Sequence, residues 1–262
     1  MTFRGALRRL SSQRRVRVSA SLLAVIGLMA ALAGPIASLG PRLLGLDGER
    51  GALFTELVLG SRTALGLGLG VAIASLFAGG IVGALAGLRG GLWDSLIARW
   101  VEAVGVFPAV ILAALLRAME PGPSLLSLFA VATLVRSAEM ARLVRLLVVE
   151  GQTAGWSVAA RALGASRARV LWHHILPNGV GTLFVSAFFS IGSVVLLETA
   201  LSFLGLGVPA ETASWGRMLG EIRSGANLPF LVAPVLALVV TLSALASLGD
   251  ALRDEFDPRG RR

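Results

Sequence analysis

Charge-free runs set the layout of this chain. No charged residue lies between Arg17 and Arg42, between Arg62 and Arg89, or between Arg223 and Asp250. Ile175–Leu197 is also neutral up to Glu198, and apolar character resumes as far as Leu206. A helix needs about 20 apolar residues to cross roughly 30 Å of hydrocarbon. These runs therefore predict a first span near Val18–Leu39, a second within 62–89, a fifth over 175–206 and a sixth between Arg223 and Asp250. Two weaker segments lie between them. Ala103–Leu116 is too short alone, so a third span has to begin near Leu96 and carry Glu102 inward. Pro121-Gly-Pro123 marks a turn. A fourth span then starts over Ser124–Val135 and must run past Arg136 and Glu139 to reach full length. The pattern predicts an all-α membrane protein with six transmembrane helices.

Spacing within these segments adds detail. Gly79, Gly83 and Gly87 recur every fourth position, which on a helix forms a flat strip where another backbone can approach closely. Arg136 and Glu139 are three apart and can pair on one helical face. An ionisable group in hydrocarbon is costly, so Arg136, Glu139 and Glu198 should face the bundle interior, water or a partner charge. Two roles remain open for them: lining a translocation path, or pairing between helices.

Composition supports the membrane reading. Hydrophobic residues make up 55% and charged residues 15% of the 262 positions. Soluble domains run nearer 45–50% and about 25%. The mean hydropathy is +0.80. Absence of cysteine excludes disulfides and thiolate chemistry. All 24 basic residues are arginine, so a Walker-type phosphate loop, which needs its lysine, is excluded as well. The net charge of +9 could point to nucleic acid. Aromatic residues are sparse, however, and no basic face is interleaved with stacking groups, so no nucleic-acid partner is expected.

The arginines instead orient the chain. If the amino terminus is inside, the inner segments carry seventeen arginines against five outside, which places both termini in the cytoplasm. The basic start and long apolar run read as a retained helix rather than a cleaved signal. Ser193 lacks a Gly-x-Ser-x-Gly setting. His173 and His174, as helical neighbours, point about 100° apart and are poor joint metal ligands. Neither an enzyme nor a bound cofactor is expected.

The largest hydrophilic stretch, 150–178, holds the most specific pattern. Ser157–Leu163 is compatible with a short helix, and Gly164 supplies a left-handed closing turn. Ser166 can cap a second helix reaching about His174, which should stop near Leu176 because Pro177 follows. Such short helices are not stable alone in water, so something must bind them. Ala159 and Ala160 offer a small apolar surface, bordered by Arg161, Arg167 and Arg169.

The run Ala159-Ala160-Arg161-Ala162-Leu163-Gly164-Ala165-Ser166, with Ile175-Leu176-Pro177-Asn178 after it, resembles the EAA loop of ABC importer permeases. Further segments resemble the branch that imports dipeptides, oligopeptides and nickel. They are Val106-Phe107-Pro108, Ala141-Arg-Leu-Val-Arg145, Leu201-Ser-Phe-Leu-Gly-Leu-Gly207, Ser214-Trp215-Gly216 and Leu248-Gly-Asp-Ala-Leu-Arg-Asp-Glu-Phe-Asp-Pro-Arg259. The resemblance extends from about Leu59 to Arg259.

It implies a type I ABC importer transmembrane domain over 59–249, between a basic tail (1–17) with the first helix (18–39) and a carboxy-terminal tail (250–262). The loop 150–178 would couple to a cytoplasmic ABC ATPase through Val158, Ala159, Ala160, Arg161, Gly164, Ala165, Ser166 and Pro177. The implied partners are that ATPase, a second permease subunit in a heterodimer, an extracytoplasmic substrate-binding protein and membrane lipid. The implied cargo is peptide or nickel, taken across a bacterial inner membrane without covalent chemistry in this chain.

Three departures from the family stand out. Val158 occupies the usual glutamate position. Arg136-Ser-Ala-Glu139-Met140 replaces a segment that tends to carry Trp, Pro and Tyr. Only a reduced Gly45-Leu-Asp47-Gly48-Glu49-Arg50-Gly51 precedes the second span. The alternative readings are an ATP-independent secondary transporter, which would have an inverted repeat and broken helices, and a non-conducting membrane scaffold.

Overall fold

A computed structural model describes residues 14–46, 48–119, 124–225 and 227–256. Most of the basic tail, Asp47, the Pro121-Gly-Pro123 turn and the Asp257–Arg259 end of the last motif lie outside the described residues. Where described, the chain is helical with no strand. In order come α1 (Arg14–Ala31), α2 (Ala33–Leu43), α3 (Gly48–Arg89), α4 (Gly91–Val106), α5 (Ala109–Ala118), α6 (Leu125–Thr153), α7 (Gly155–Ala162) and α8 (Arg167–Val170). A π-helical turn (Leu171–Ile175) leads into α9 (Leu176–Phe203). Then follow α10 (Trp215–Gly220), a 3₁₀ turn (Glu221–Ser224) and α11 (Leu228–Phe256).

Prolines break two of the expected spans. The first does not run straight over Val18–Leu39: α1 and α2 meet at 92°. Pro35 lacks the N–H that would bond the Ala31 carbonyl, so the helix ends there and restarts. In the third, α4 and α5 meet at 91°. Pro108 disfavours helical geometry in the residue before it, and Phe107 is extended at φ −91°, ψ 137°.

Among the described residues, three helical stretches, 48–89, 167–203 and 228–256, are long and apolar enough to cross a membrane, and the two bent pairs raise the number to five if each is one span. The expected fourth span falls on the 29-residue α6, but its five charges leave it more polar than those stretches. The second is longer than expected. α3 has 42 residues, about 63 Å at 1.5 Å per residue, and so projects well beyond the hydrocarbon.

The expected stop at Pro177 is absent. Proline lies in the first turn of α9, where its missing N–H costs nothing. The π turn before it accommodates the change of phase, and 167–203 counts as one helical stretch.

The glycine strip does what its spacing implied. A Cβ at Gly79 would lie 2.4 Å from the Ser137 carbonyl oxygen, and one at Gly83 would lie 2.3 Å from that of Ala141. At Gly87 it would meet Val148 at 2.7 Å. The paired numbers rise together, so α3 and α6 run parallel in close backbone contact. α9 packs against both in the opposite sense, with Gly68 on Ile191 and Gly179 on Leu147. The main apolar cluster joins Leu67, Val71, Leu128, Ala132, Val194 and Leu201 from these three helices. α1 packs on α11 and α9 through Val16, Val185, Ala251 and Leu252.

Candidate functional site

The expected coupling segment folds as two short helices at the Leu176 end of α9. α7 closes in a Schellman turn: Ala165 N–H donates to Ala160 O at 3.0 Å and Gly164 N–H to Arg161 O at 2.9 Å. Gly164 has φ +90°, as the left-handed position requires. Ser166 then caps α8, its Oγ accepting from Arg169 N–H at 3.2 Å.

Two side chains, Arg161 and Arg167, tie this unit to the bundle by donating to backbone carbonyls, and Gln152 at the end of α6 joins that helix to α3. Gln152 reaches Gly87 O at 2.6 Å, Arg167 reaches Leu88 O at 3.2 Å, and Arg161 reaches Gln152 O at 3.0 Å. Two of the acceptors are the last carbonyls of α3, which have no partner inside their own helix. Nearby, Arg145 holds Asp94 of α4 in a bidentate pair at 2.5 and 2.7 Å. Of these anchors Arg161 and Arg167 were expected to border the segment, but not to make these contacts. All but the Arg161 bond join residues 51 to 79 apart, and no local spacing signals them.

The apolar surface of the segment is not the one expected. Ala159 is exposed, but Ala160 and Ala165 pack on the bundle's own cluster of Met140, Val144, Val148 and Ile175. Neighbours on a helix cannot share a face, and here Ala160 turns inward. The outward face is Val158 (50% exposed), Ala159, Leu163 (91%) and Trp172 (66%). Val158, where the family places glutamate, thus faces out. Pro177 is exposed just beyond the π turn. His174 lies against Trp156, ring centroids 5.9 Å apart, and its neighbour His173 approaches Arg169 O instead.

At the Phe203 end of α9 a second constellation forms. Glu198 is 1% exposed, and one carboxylate oxygen accepts from Ser202 Oγ at 2.7 Å and Ser214 Oγ at 2.6 Å. Ser214 caps α10, receiving Gly216 and Arg217 N–H. Trp215 is buried and donates its indole N–H to Leu57 O of α3 at 2.9 Å. It lies against Gly60, where a Cβ would come within 2.7 Å of the ring.

Gly205, at φ +79°, closes α9. Gly207 leaves no room for a side chain beside Ser202. Arg117, one of the five arginines counted as outer, is 4% exposed. Its Nε donates to Leu206 O at 2.9 Å, one Nη to Gly207 O at 2.7 Å, and the other Nη to Ser127 Oγ. Glu198 therefore acts between elements of this chain.

Arg136 and Glu139 pair as expected, through two contacts of 2.8 and 2.7 Å, with Glu139 largely exposed. Two open cavities flank that pair along α6. One of about 770 Å³ lies among Arg62, Leu67, Phe129, Glu211 and Thr212, and one of about 400 Å³ among Val101, Glu102, Arg142 and Arg145.

Residues 79–262 match the family described as binding-protein-dependent transport system inner membrane component. The chain belongs to that permease family. Over 96% of its length it is 34% identical to a protein of Brucella suis biovar 1 named for a peptide transport system permease, covering 90% of that protein. It is 31% identical, over 83% of its own length and 72% of the relative's, to the oligopeptide transport system permease protein OppC of Bacillus subtilis. Against the dipeptide transport system permease protein DppC of Alkalihalophilus pseudofirmus it is 33% identical, over 82% and 71%.

These relatives make the chain an ABC importer permease, a membrane component of transport systems rather than an enzyme. They give new meaning to the motifs that carried the resemblance. In this permease Leu201–Gly207 and Ser214–Gly216 are packing devices that lock the loop after α9 onto α3 and α9. The 157–166 run, by contrast, presents Val158, Ala159 and Leu163 outward.

Proposed function

We propose that this permease forms one half of the membrane path of an ATP-driven peptide importer. A second permease subunit completes the path, an extracytoplasmic protein delivers peptide, and a cytoplasmic ATPase docks on α7 and α8. The observation that carries the reading is the outward face of that segment. Leu163 at 91% exposure and Trp172 at 66% contribute nothing to the chain's own core, while Arg161 and Arg167 fix the segment beneath them by bonds to backbone carbonyls, one of them that of Gln152, which itself holds Gly87. A rigidly held apolar patch bordered by arginines is what a docking partner needs. Movement of the ATPase would pass through Gln152 and Arg167 to α3 and rock the bundle between two states.

Six spans follow if α6 counts as the one facing the path, since its Arg136, Glu139 and Arg142 should avoid lipid. Both termini and α7–α8 are then cytoplasmic. Peptide is the favoured cargo over nickel because the relatives are named for peptide transport. The broken helices do not favour a secondary transporter, since proline accounts for each.

Ala159→Asp is the decisive variant. The side chain is exposed in the free chain, so insertion and folding should be normal. Beneath a docked ATPase an unpaired charge costs several kcal/mol, and the ATPase should no longer co-purify. Normal uptake with the ATPase retained would overturn the proposal.

Topology is testable because the chain lacks cysteine. An impermeant maleimide on intact cells should label Ala210→Cys and not Leu163→Cys. Both positions are exposed, unlike the buried Ser157 and Ser214. The opposite labelling would reverse the orientation.

A further inference from the structure

The cavity beside α3 contains two charges that the protein itself does not use. Among the described residues, Arg62 and Glu211 are its only charged lining residues. They are not paired with each other, and neither makes a hydrogen bond or ion pair with any described residue. Several other charges at this end are engaged, while Arg42 and Arg50 are exposed outside the cavity and bond no described residue. Arg117 holds Leu206 and Gly207, Glu198 holds two serines, Arg217 lies 3.8 Å from Glu56, and Glu49 receives Asn227 at 2.8 Å.

Arg62 is exposed at the boundary of the charge-free run of α3, and a guanidinium at the edge of a spanning helix has to meet water, a partner charge or a solute rather than lipid. The cavity measures about 770 Å³, within the roughly 300–1,000 Å³ of small-molecule sites. Its other walls are Leu67, Leu125 and Phe129, with Thr63 and Thr212 as neutral polar groups.

We propose that this cavity is a binding station for a zwitterionic peptide, with Arg62 holding the carboxylate and Glu211 the ammonium group. The assignment rests on the peptide-importer reading and deepens it. Arginine presents a planar fork that takes a carboxylate through two parallel N–H donors. A carboxylate set apart from it suits a primary ammonium. The apolar walls accept side chains without selecting them by hydrogen bonds, which suits a path for varied peptides. A bare divalent cation would meet one carboxylate and a repelling guanidinium, and a purely anionic solute would meet Glu211. Only a solute carrying both charges satisfies the two residues together.

The test uses the assembled complex with Thr212→Cys as the single thiol of this chain, read by mass spectrometry of the chain. Labelling by a maleimide is timed with millimolar trialanine, its C-terminal amide and its N-acetyl form, without the binding protein. Trialanine is expected to protect position 212, and each capped form to protect about tenfold less, as expected for one lost charge-assisted contact. Adding Arg62→Gln should erase the difference between acid and amide, and Glu211→Gln the difference between free and acetylated amine.

Equal protection by all three peptides, no protection, or full discrimination retained in Arg62→Gln overturns the site. The first two outcomes need neither charge variant, and Ala213→Cys provides a second reporter on the same cavity. ATP-dependent peptide uptake by the same complex is measured in parallel. Its absence sinks the importer reading, whereas uptake without protection sinks only this station.

Discussion

At the Phe203 end of α9, Glu198 bonds Ser202 and Ser214, Trp215 and Arg117 bond backbone carbonyls, and all five disappear from the surface. At the Leu176 end, Val158, Leu163 and Trp172 turn away from everything the chain offers them. Both regions carry motifs by which the family is recognised, yet the motifs do opposite physical work. The first pairs most of its buried polar groups inside one subunit, as hydrocarbon demands. The second holds a backbone still so that apolar side chains remain available to a partner. A motif can thus mark what a protein needs to fold or what it needs to meet, and burial separates the two.

The contrast predicts where substitutions harm folding and where they harm only partnership. The largest effect is expected from Gly216→Val. A Cβ there would lie 2.2 Å from the Thr199 carbonyl oxygen and 2.7 Å from its Cα. Backbone cannot step aside, so the cost should be about 3 kcal/mol or more, seen as loss of assembled complex and a lower unfolding temperature in detergent.

Arg117→Met comes next. It leaves the Leu206 and Gly207 carbonyls without their donor, at about 2–3 kcal/mol. Denaturant unfolding within about 0.5 kcal/mol of the parent, the usual range for surface substitutions, would show that the outer constellation is not structural.

Gly164→Val should cost on the order of 1–2 kcal/mol, because a β-branched residue is forced into the left-handed region. That loss stays local, and it appears as weaker ATPase retention with normal membrane insertion. Glu198→Gln keeps an acceptor for Ser202 and Ser214, so about 1 kcal/mol is expected and substrate preference should not change. A well-assembled variant with altered preference would move Glu198 from the fold to the path.

The smallest effect on stability belongs to Leu163→Ser, within about 0.5 kcal/mol for an exposed position. Its ATPase should nevertheless dissociate more readily in a wash series. Equal retention would remove Leu163 from the docking face. Ala160→Asp separates folding from docking less cleanly, because Ala160 leans on the bundle's own core, and a charge there would disturb the segment before any partner arrives.

Local order was legible in the residues alone. The closing turn at Gly164, the cap at Ser166, the pairing of Arg136 with Glu139 and the close-approach strip of Gly79, Gly83 and Gly87 all follow from spacings of three to four residues. Helical geometry converts those spacings into neighbours whatever else the chain does. Charge-free runs likewise placed most of the long helices, because hydrocarbon tolerates little else. Pro108 and Pro35 could have been read as breaks from their missing N–H groups, but the apolar runs around them favoured continuous spans.

Tertiary structure alone decided the rest. Arg117 meets the Gly207 carbonyl 90 positions away, and Gln152 meets that of Gly87 at a separation of 65. Ala160 faces inward while Ala159 faces out, and Pro177 continues a helix through a π turn instead of ending one. Each of these depends on which helices lie side by side and at what rotation. Close packing settles that rotation jointly over many distant residues, so no short stretch of sequence contains it.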